Sequence, residues 1–218
     1  MAEALSAFSN RSFRKLFTGV LILYVLVGSE TALVLYIYEF FWSLNSGEIT
    51  LLYLVYPMGL IAGPLFTTRL HELWEKSPIL ILGTVGWSFC QFFPIVGRLL
   101  DVVPENGTTA LIVFLIMVRF LQGALIQQGY ASFSSMMGDI ADEHELATGR
   151  RQEGIFFGVV SFSGKAASGP GIFYGPLSAV FAVIRPFAYR GYALDREHHR
   201  SILKALQSRA DSVQWPPV

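Results

Sequence analysis

The sequence predicts an all-α integral membrane protein, five full transmembrane helices followed by a shortened terminal hairpin. Two observations carry that expectation. Of 218 residues, 53% are hydrophobic and 15% charged, with a mean hydropathy of +0.49. Soluble domains carry roughly 25% charged residues, so this chain is short of the polar surface that water would demand. Its apolar residues also recur in stretches of about 18 to 26, each long enough to cross a hydrocarbon core about 30 Å thick.

The elements follow in order. Arg11, Arg14 and Lys15 lead into the first span, Leu16–Trp42, which is too long for the apolar core of a cleavable signal peptide. Asn45-Ser46-Gly47 turns the chain into Ile49–Phe66, and Ser77-Pro78 opens Pro78–Val96. Pro104-Glu105-Asn106-Gly107 separates that span from Ala110–Gln127, whose helix is expected to continue to Met137. Residues 138–153 read as a cytoplasmic loop, and a fifth span begins near Gly154. Each span is apolar around its circumference, as membrane helices require.

The last apolar piece, Gly175–Tyr189, is short. Arg150 and Arg151 precede the fifth span, and Arg190 and Arg196 follow the last piece, so the 37 residues from Gly154 to Arg190 must enter the bilayer and return. Two full spans need about 40 residues plus a turn. The expectation is therefore a hairpin bent at Gly169-Pro170-Gly171, with Gly171 below the outer interface.

Orientation rests on Lys and Arg. Twelve of the sixteen fall in alternate loops and at the two ends, against Arg98 on the other side, which predicts both termini in the cytoplasm. The chain then divides into a cytoplasmic lead-in (1–15), a transmembrane half-bundle (16–190) and a cytoplasmic tail (191–218). In a bacterium the bilayer would be the inner membrane. The net charge of zero, without a basic run, gives no reason to expect nucleic acid as a partner. A lone cysteine, Cys90, excludes an internal disulfide and hints at no metal.

Some spacings admit two readings. Gly59-xxx-Gly63 and Gly154-xxx-Gly158 allow close helix approach, although glycine is also common in membrane helices. Asn106-Gly107-Thr108 is a glycosylation sequon, which matters only in a secretory pathway.

Ionisable residues within spans are costly, and each is a candidate for function. Glu30 lies in the first span and Lys165 about twelve residues into the fifth. Counted from the cytoplasmic starts of their spans they share a depth, which predicts contact between them. They line a polar pathway, or they are paired for structure alone. Arg119, nearer the outer end of the fourth span, is expected to snorkel outward. Asp139, Asp142, Arg150, Arg151 and Glu153 either form a solvated, topology-fixing loop or an ion-pair latch that gates the cytoplasmic side.

Enzyme signatures are incomplete. Asp139-xx-Asp142 is followed by Glu143 where CDP-alcohol phosphotransferases need glycine, and no second spaced aspartate pair appears. His144 and its neighbouring acids have no second ligand cluster, so no metal site is expected. Gly169-Pro170-Gly171 follows no strand and is not a phosphate loop. No catalytic residue and no cofactor is expected.

Residues Met136–Gly154, then Ile155-Phe156-Phe157-Gly158 and Lys165, resemble the stretch joining helices ten and eleven of the glycoside–pentoside–hexuronide:cation symporters, the melibiose permease-like branch of the major facilitator superfamily. Asp139, Asp142, Arg151, Glu153 and Lys165 fall in register with that family's pattern without gaps. Asn10–Leu16 resembles the approach to helix seven, and Tyr192–His198 the tail after helix twelve. The resemblance implies one six-helix half, the carboxy-terminal one, of a transporter that couples a sugar or glycoside to Na+ or H+. Its partners would be the bilayer, the missing amino-terminal half and a small-molecule solute.

The resemblance also places Lys165 near the substrate and cation sites, and Tyr130 where melibiose permease has a cavity tryptophan. Val160 replaces a glutamine of that permease one turn before the lysine, which separates the sugar specificities. Only 26 residues lie between Lys165 and Tyr192, about a helix fewer than the family has, so the chain reads as a fragment, inactive alone. The rival readings are a half-transporter that self-assembles, a lysolipid carrier and, less well supported, a membrane-embedded enzyme.

Overall fold

A computed structural model of the protein describes residues 8, 10–149, 153–173 and 196–212. Among them every regular element is helical. Helix α1 spans Arg11–Tyr36, where Asn10 Oδ1 accepts the Phe13 N–H at 2.8 Å and caps the first turn. It continues through a π-helical turn, Ile37–Phe41, into a single apolar element of 31 residues, about 46 Å long. Helix α2 (Ser46–Ala62) opens on a capping box in which Asn45 and Glu48 satisfy each other's backbone N–H groups.

The expected span Ile49–Phe66 is not one straight helix. It bends by 43° at Gly63-Pro64 into α3, Pro64–Leu73, because Pro64 has no N–H to continue the ladder. Gln128 steadies the break by donating its amide to the Gly63 carbonyl at 2.6 Å and accepting from Thr67 Oγ1 at 2.8 Å. Helix α4 spans Lys76–Leu99 and α5 spans Thr109–Thr148. Helix α6 spans Glu153–Phe173 and α7 spans Arg196–Ser212.

Three of these elements, α1 with its π turn, α4 and α5, are long and apolar enough to cross a membrane, and α2–α3 makes a fourth if the bent pair is one span. The fifth expected span, α6, has the length at 21 residues, but Lys165 and the surrounding glycines and serines dilute its apolar character.

Two expectations change. The stretch 138–153 is helical as far as Thr148, where Gly149 closes α5 in the left-handed conformation, φ 75°. Burial of Asp139, Ile140, Ala141, Asp142 and His144 against neighbouring helices stabilises turns that polarity alone assigns to a loop. Helix α6 also runs through Gly169-Pro170-Gly171 without a break. The hairpin's return leg, 174–190, lies outside the described residues.

Helix α5 is the hub. Helix α2 packs on one flank where Gly59 and Gly123 oppose each other: a Cβ on Gly59 would run into the Phe120 carbonyl, and one on Gly123 into the Tyr56 carbonyl. Helix α4 packs on another flank at Gly83, against Gly129 and the Leu125 carbonyl. Backbones this close gain dispersion contacts that lipid cannot supply. Helix α1 lies along α6 in parallel, with the Phe13 and Phe156 rings 4.9 Å apart and Gly164 fitted against the Tyr24 ring. At the far end, Asn106 Nδ2 donates to the Phe41 carbonyl at 2.8 Å, closing the end of α1. The nitrogen that a glycan would need is thus engaged in the fold.

Candidate functional site

The charged residues of the interior gather in two places among the described residues. The first lies between α1, α4 and α5, about ten residues from the ends of α1 and α5 that meet Asn106. Glu30 stands eleven residues before Phe41, and Arg119 ten after Thr109. The two helices run in opposite directions, so these counts bring the side chains level. Arg119 Nη1 meets Glu30 Oε1 at 2.6 Å, with side-chain exposures of 10% and 11%. The same nitrogen donates to Gln122 Oε1 at 2.5 Å, and Gln122 Nε2 donates to Gln91 Oε1 at 2.8 Å.

Two aromatic faces complete the setting, Tyr56 at 4.7 Å and Tyr38 at 5.8 Å from the guanidinium carbon. A cavity of about 30 Å³ adjoins the pair, bounded in part by Tyr38, Cys90, Gln91 and Arg119, room for one or two water molecules. A carboxylate and a guanidinium held this way neutralise each other, so neither faces hydrocarbon unpaired.

The second cluster lies at the opposite end. Lys76 Nζ, at the start of α4, reaches both oxygens of Asp139 at 2.6 and 2.7 Å. His199 of α7 places Nδ1 3.4 Å from Asp139 Oδ1 and Nε2 3.8 Å from Asp142 Oδ2. Asn10 Nδ2 donates to Glu143 Oε2 at 2.9 Å. The starts of α1 and α4 and the end of α5 are thereby tied together by charge and hydrogen bonding, with His199 of α7 beside them. Beneath them lies an apolar cluster that includes Phe13, Leu16, Met136 and Phe156.

A family of known transporters matches this pattern of long apolar helices with a few buried charges. The MFS/sugar transport protein family matches residues 2–192. The chain belongs to that family. No curated protein and no solved structure matches it. As a member of the major facilitator superfamily it is a multi-pass membrane protein and a secondary transporter.

Within this transporter fold the sequence-predicted residues separate. Glu30 is paired with Arg119, and that overturns the expectation that Arg119 snorkels outward. The register of α1 against α6 bears on the other expected contact of Glu30, with Lys165. Gly164 lies at Tyr24, so Lys165 stands level with Val25, five residues or about 7 Å short of Glu30 along the axis. Depth counted from the apolar boundaries concealed this, because α1 begins at Arg11, five residues before its first leucine.

Lys165 is exposed on α6, and Tyr130 is 41% exposed on α5. Asp139 and Asp142 come together at the α5 terminus, while Glu153 begins α6. Arg150 and Arg151 lie outside the described residues. Sequence reasoning missed Gln91, Gln122, Lys76 and His199 as partners. One signal was available: Arg119 and Gln122 are three apart, which sets both on one face of a helix.

Proposed function

We propose that this chain is the carboxy-terminal half-bundle of a cation-coupled symporter for a sugar or glycoside, of the glycoside–pentoside–hexuronide type. One observation carries the reading beyond family membership, the placement of Lys165. Helix α6 turns Phe156, Val160, Gly164 and Ala167 toward its neighbours and leaves Gly154, Gly158, Ser161 and Lys165 exposed on the other side. An ammonium group twelve residues into an apolar helix is expensive in lipid and belongs beside a water-filled path or a second protein surface. An amino-terminal half-bundle would supply that surface, and the central cavity would lie between the halves.

In this reading Lys165 and Tyr130 line the solute path, and Na+ or H+ is the coupling ion. Asp139, Asp142, Arg150, Arg151 and Glu153 guard its cytoplasmic mouth. Both termini are cytoplasmic, in a bacterium at the inner membrane, and the chain alone does not transport.

The test is uptake of a labelled glycoside into vesicles from cells expressing the chain with or without the amino-terminal half of a symporter of this type. Uptake is expected only with both chains, only while an imposed Na+ or H+ gradient lasts, and not with Lys165→Ala. Uptake by the chain alone would overturn the half-bundle reading. Uptake indifferent to both gradients would overturn cation coupling.

A further inference from the structure

Helix α7 has two sides of different character. Ile202 is 3% exposed, with His199, Ala205 and Leu206 half-buried around it, and this side packs on α5. The opposite side shows Arg200, Leu203, Lys204 and Gln207 to the surroundings, and their spacing of three and four sets them in one stripe. Leu203 is 40% exposed between the two cations. Among the described residues neither Arg200 nor Lys204 has a hydrogen bond or an ion pair. Like charges at that spacing weaken a helix slightly, so the stability of α7 does not explain the stripe.

The level of the stripe follows from α5. His199 stands beside Asp139 and Asp142. Asp139 lies 30 residues from Thr109, where the apolar helix begins, or about 45 Å along its axis. A bilayer with its headgroups is about 40–45 Å thick, so α7 meets α5 at headgroup depth. Lys76, the first residue of the apolar helix α4, reaches the same Asp139 at 2.6 Å and sets the foot of α4 at that level too. Helix α5 runs on to Thr148. Helix α7 therefore lies against its flank, not across its end, and the stripe faces sideways in the plane of the bilayer. Above the foot of α4, Leu82, Val85 and Phe89 form an exposed apolar row, the kind of surface that acyl chains cover.

We infer that the Arg200–Leu203–Lys204 stripe of α7 is a binding site for the headgroups of anionic phospholipids. The guanidinium and the ammonium donate to lipid phosphate in charge-assisted hydrogen bonds. Leu203 enters the boundary between headgroups and acyl chains, and the stems of Arg200 and Lys204 lie along it. A zwitterionic headgroup offers a phosphate but brings its own cation, so the two free positive charges select the anionic lipid. The site is independent of the solute carried and of whether a second half-bundle completes the transporter.

The experiment uses the full chain in phosphatidylcholine nanodiscs, with Cys90→Ala and a bimane fluorophore on Ser208→Cys, an exposed position of α7. Quenching is compared for phosphatidylglycerol and phosphatidylcholine that carry the same nitroxide high on one acyl chain, each at the same low mole fraction. The apparent local mole fraction of phosphatidylglycerol at α7 is expected to exceed that of phosphatidylcholine by roughly tenfold, each cation contributing about threefold to fivefold. Salt at 1 M, which shortens the Debye length to about 3 Å, should abolish the preference. Arg200→Gln with Lys204→Gln should abolish it as well, and the exchange Arg200→Lys with Lys204→Arg should retain it. Equal quenching by the two lipids would overturn the inference, and so would a preference that survives in the double glutamine variant or is lost in the charge-keeping exchange. Quenching by neither lipid would place the stripe against water or another protein surface and overturn it too.

Discussion

Removing one member of the Glu30–Arg119 pair tests the architecture most directly. Both side chains are about 90% buried and the contact is 2.6 Å, so Arg119→Gln strands a carboxylate among Tyr38, Tyr56 and apolar side chains. Breaking a buried ion pair from one side costs about 3–5 kcal/mol in soluble proteins, whereas polar contacts between membrane helices average nearer 0.6 kcal/mol. A charge left behind in low dielectric resembles the first case, and a figure of about 3 kcal/mol is expected. For a chain of this size that is roughly 6–12 °C in Tm.

Cys90 provides the assay. It is the only cysteine, is 7% exposed and borders the cavity beside Arg119, so a thiol-reactive fluorogenic dye reports unfolding during a thermal ramp. Arg119→Gln and Glu30→Gln should each fall by that amount. The double variant should recover most of the loss, since two neutral amides strand no charge. Singles within about 2 °C of the wild type, or a double no better than the singles, would refute the buried-pair account.

Further outcomes follow from the packing and the orientation. Gly123→Ala should destabilise by about 1–3 kcal/mol because its Cβ meets the Tyr56 carbonyl. Gly158→Ala meets nothing among the described residues and should be neutral or slightly stabilising in the same ramp, helix propensity favouring alanine by up to about 1 kcal/mol. In a Cys90→Ala background, an impermeant maleimide applied outside intact cells should label Gly47→Cys and spare Thr148→Cys; the reverse pattern would invert the topology. On the proposed reading, with an amino-terminal half-bundle co-expressed, Lys165→Cys should react with a small hydrophilic thiosulfonate at least about tenfold faster than Phe89→Cys. Phe89, 61% exposed, stands on the apolar outer face of α4. Equal slow reaction would place Lys165 in lipid.

How much of this was legible depends on which physical signal each residue carries. The helices themselves were, since length and apolarity are written in composition, and the breaks at Asn45, Pro78 and Asn106 fall where capping and turn residues stand. The bend at Gly63-Pro64 was readable from the proline but was absorbed into a single hydrophobic run. The extension of α5 from Met137 to Thr148 was hidden because Asp139, Asp142 and His144 look like solvent-facing residues. Their burial depends on Lys76, Asn10 and His199, which lie 63, 133 and 60 positions away from Asp139, Glu143 and Asp139 respectively. The Glu30–Arg119 pair failed for a related reason: depth counted from apolar boundaries places a charge only to within a turn or two, and the register between two helices is a property of their side-chain packing.

The two glycine spacings also separate once packing is known, and their difference bears on mechanism. Gly59 and Gly63 are pressed against α5, at Phe120 and Gln127, so α2 is fastened to the hub. Among the described residues nothing lies against Gly154 or Gly158, and they share the exposed side of α6 with Lys165. The Glu30–Arg119–Gln122–Gln91 chain joins α1, α5 and α4 through polar contacts of 2.5–2.8 Å, and the Tyr24–Gly164 contact fixes α6 to α1. Charge buried at Arg119 therefore serves cohesion, while Lys165 stands on the exposed side of α6. On the proposed half-bundle reading, alternating access by rocking needs this chain to move as one body. A polar clamp at one depth, glycine seams along the hub and an open small-residue face for a partner meet that requirement without any contact from outside the chain.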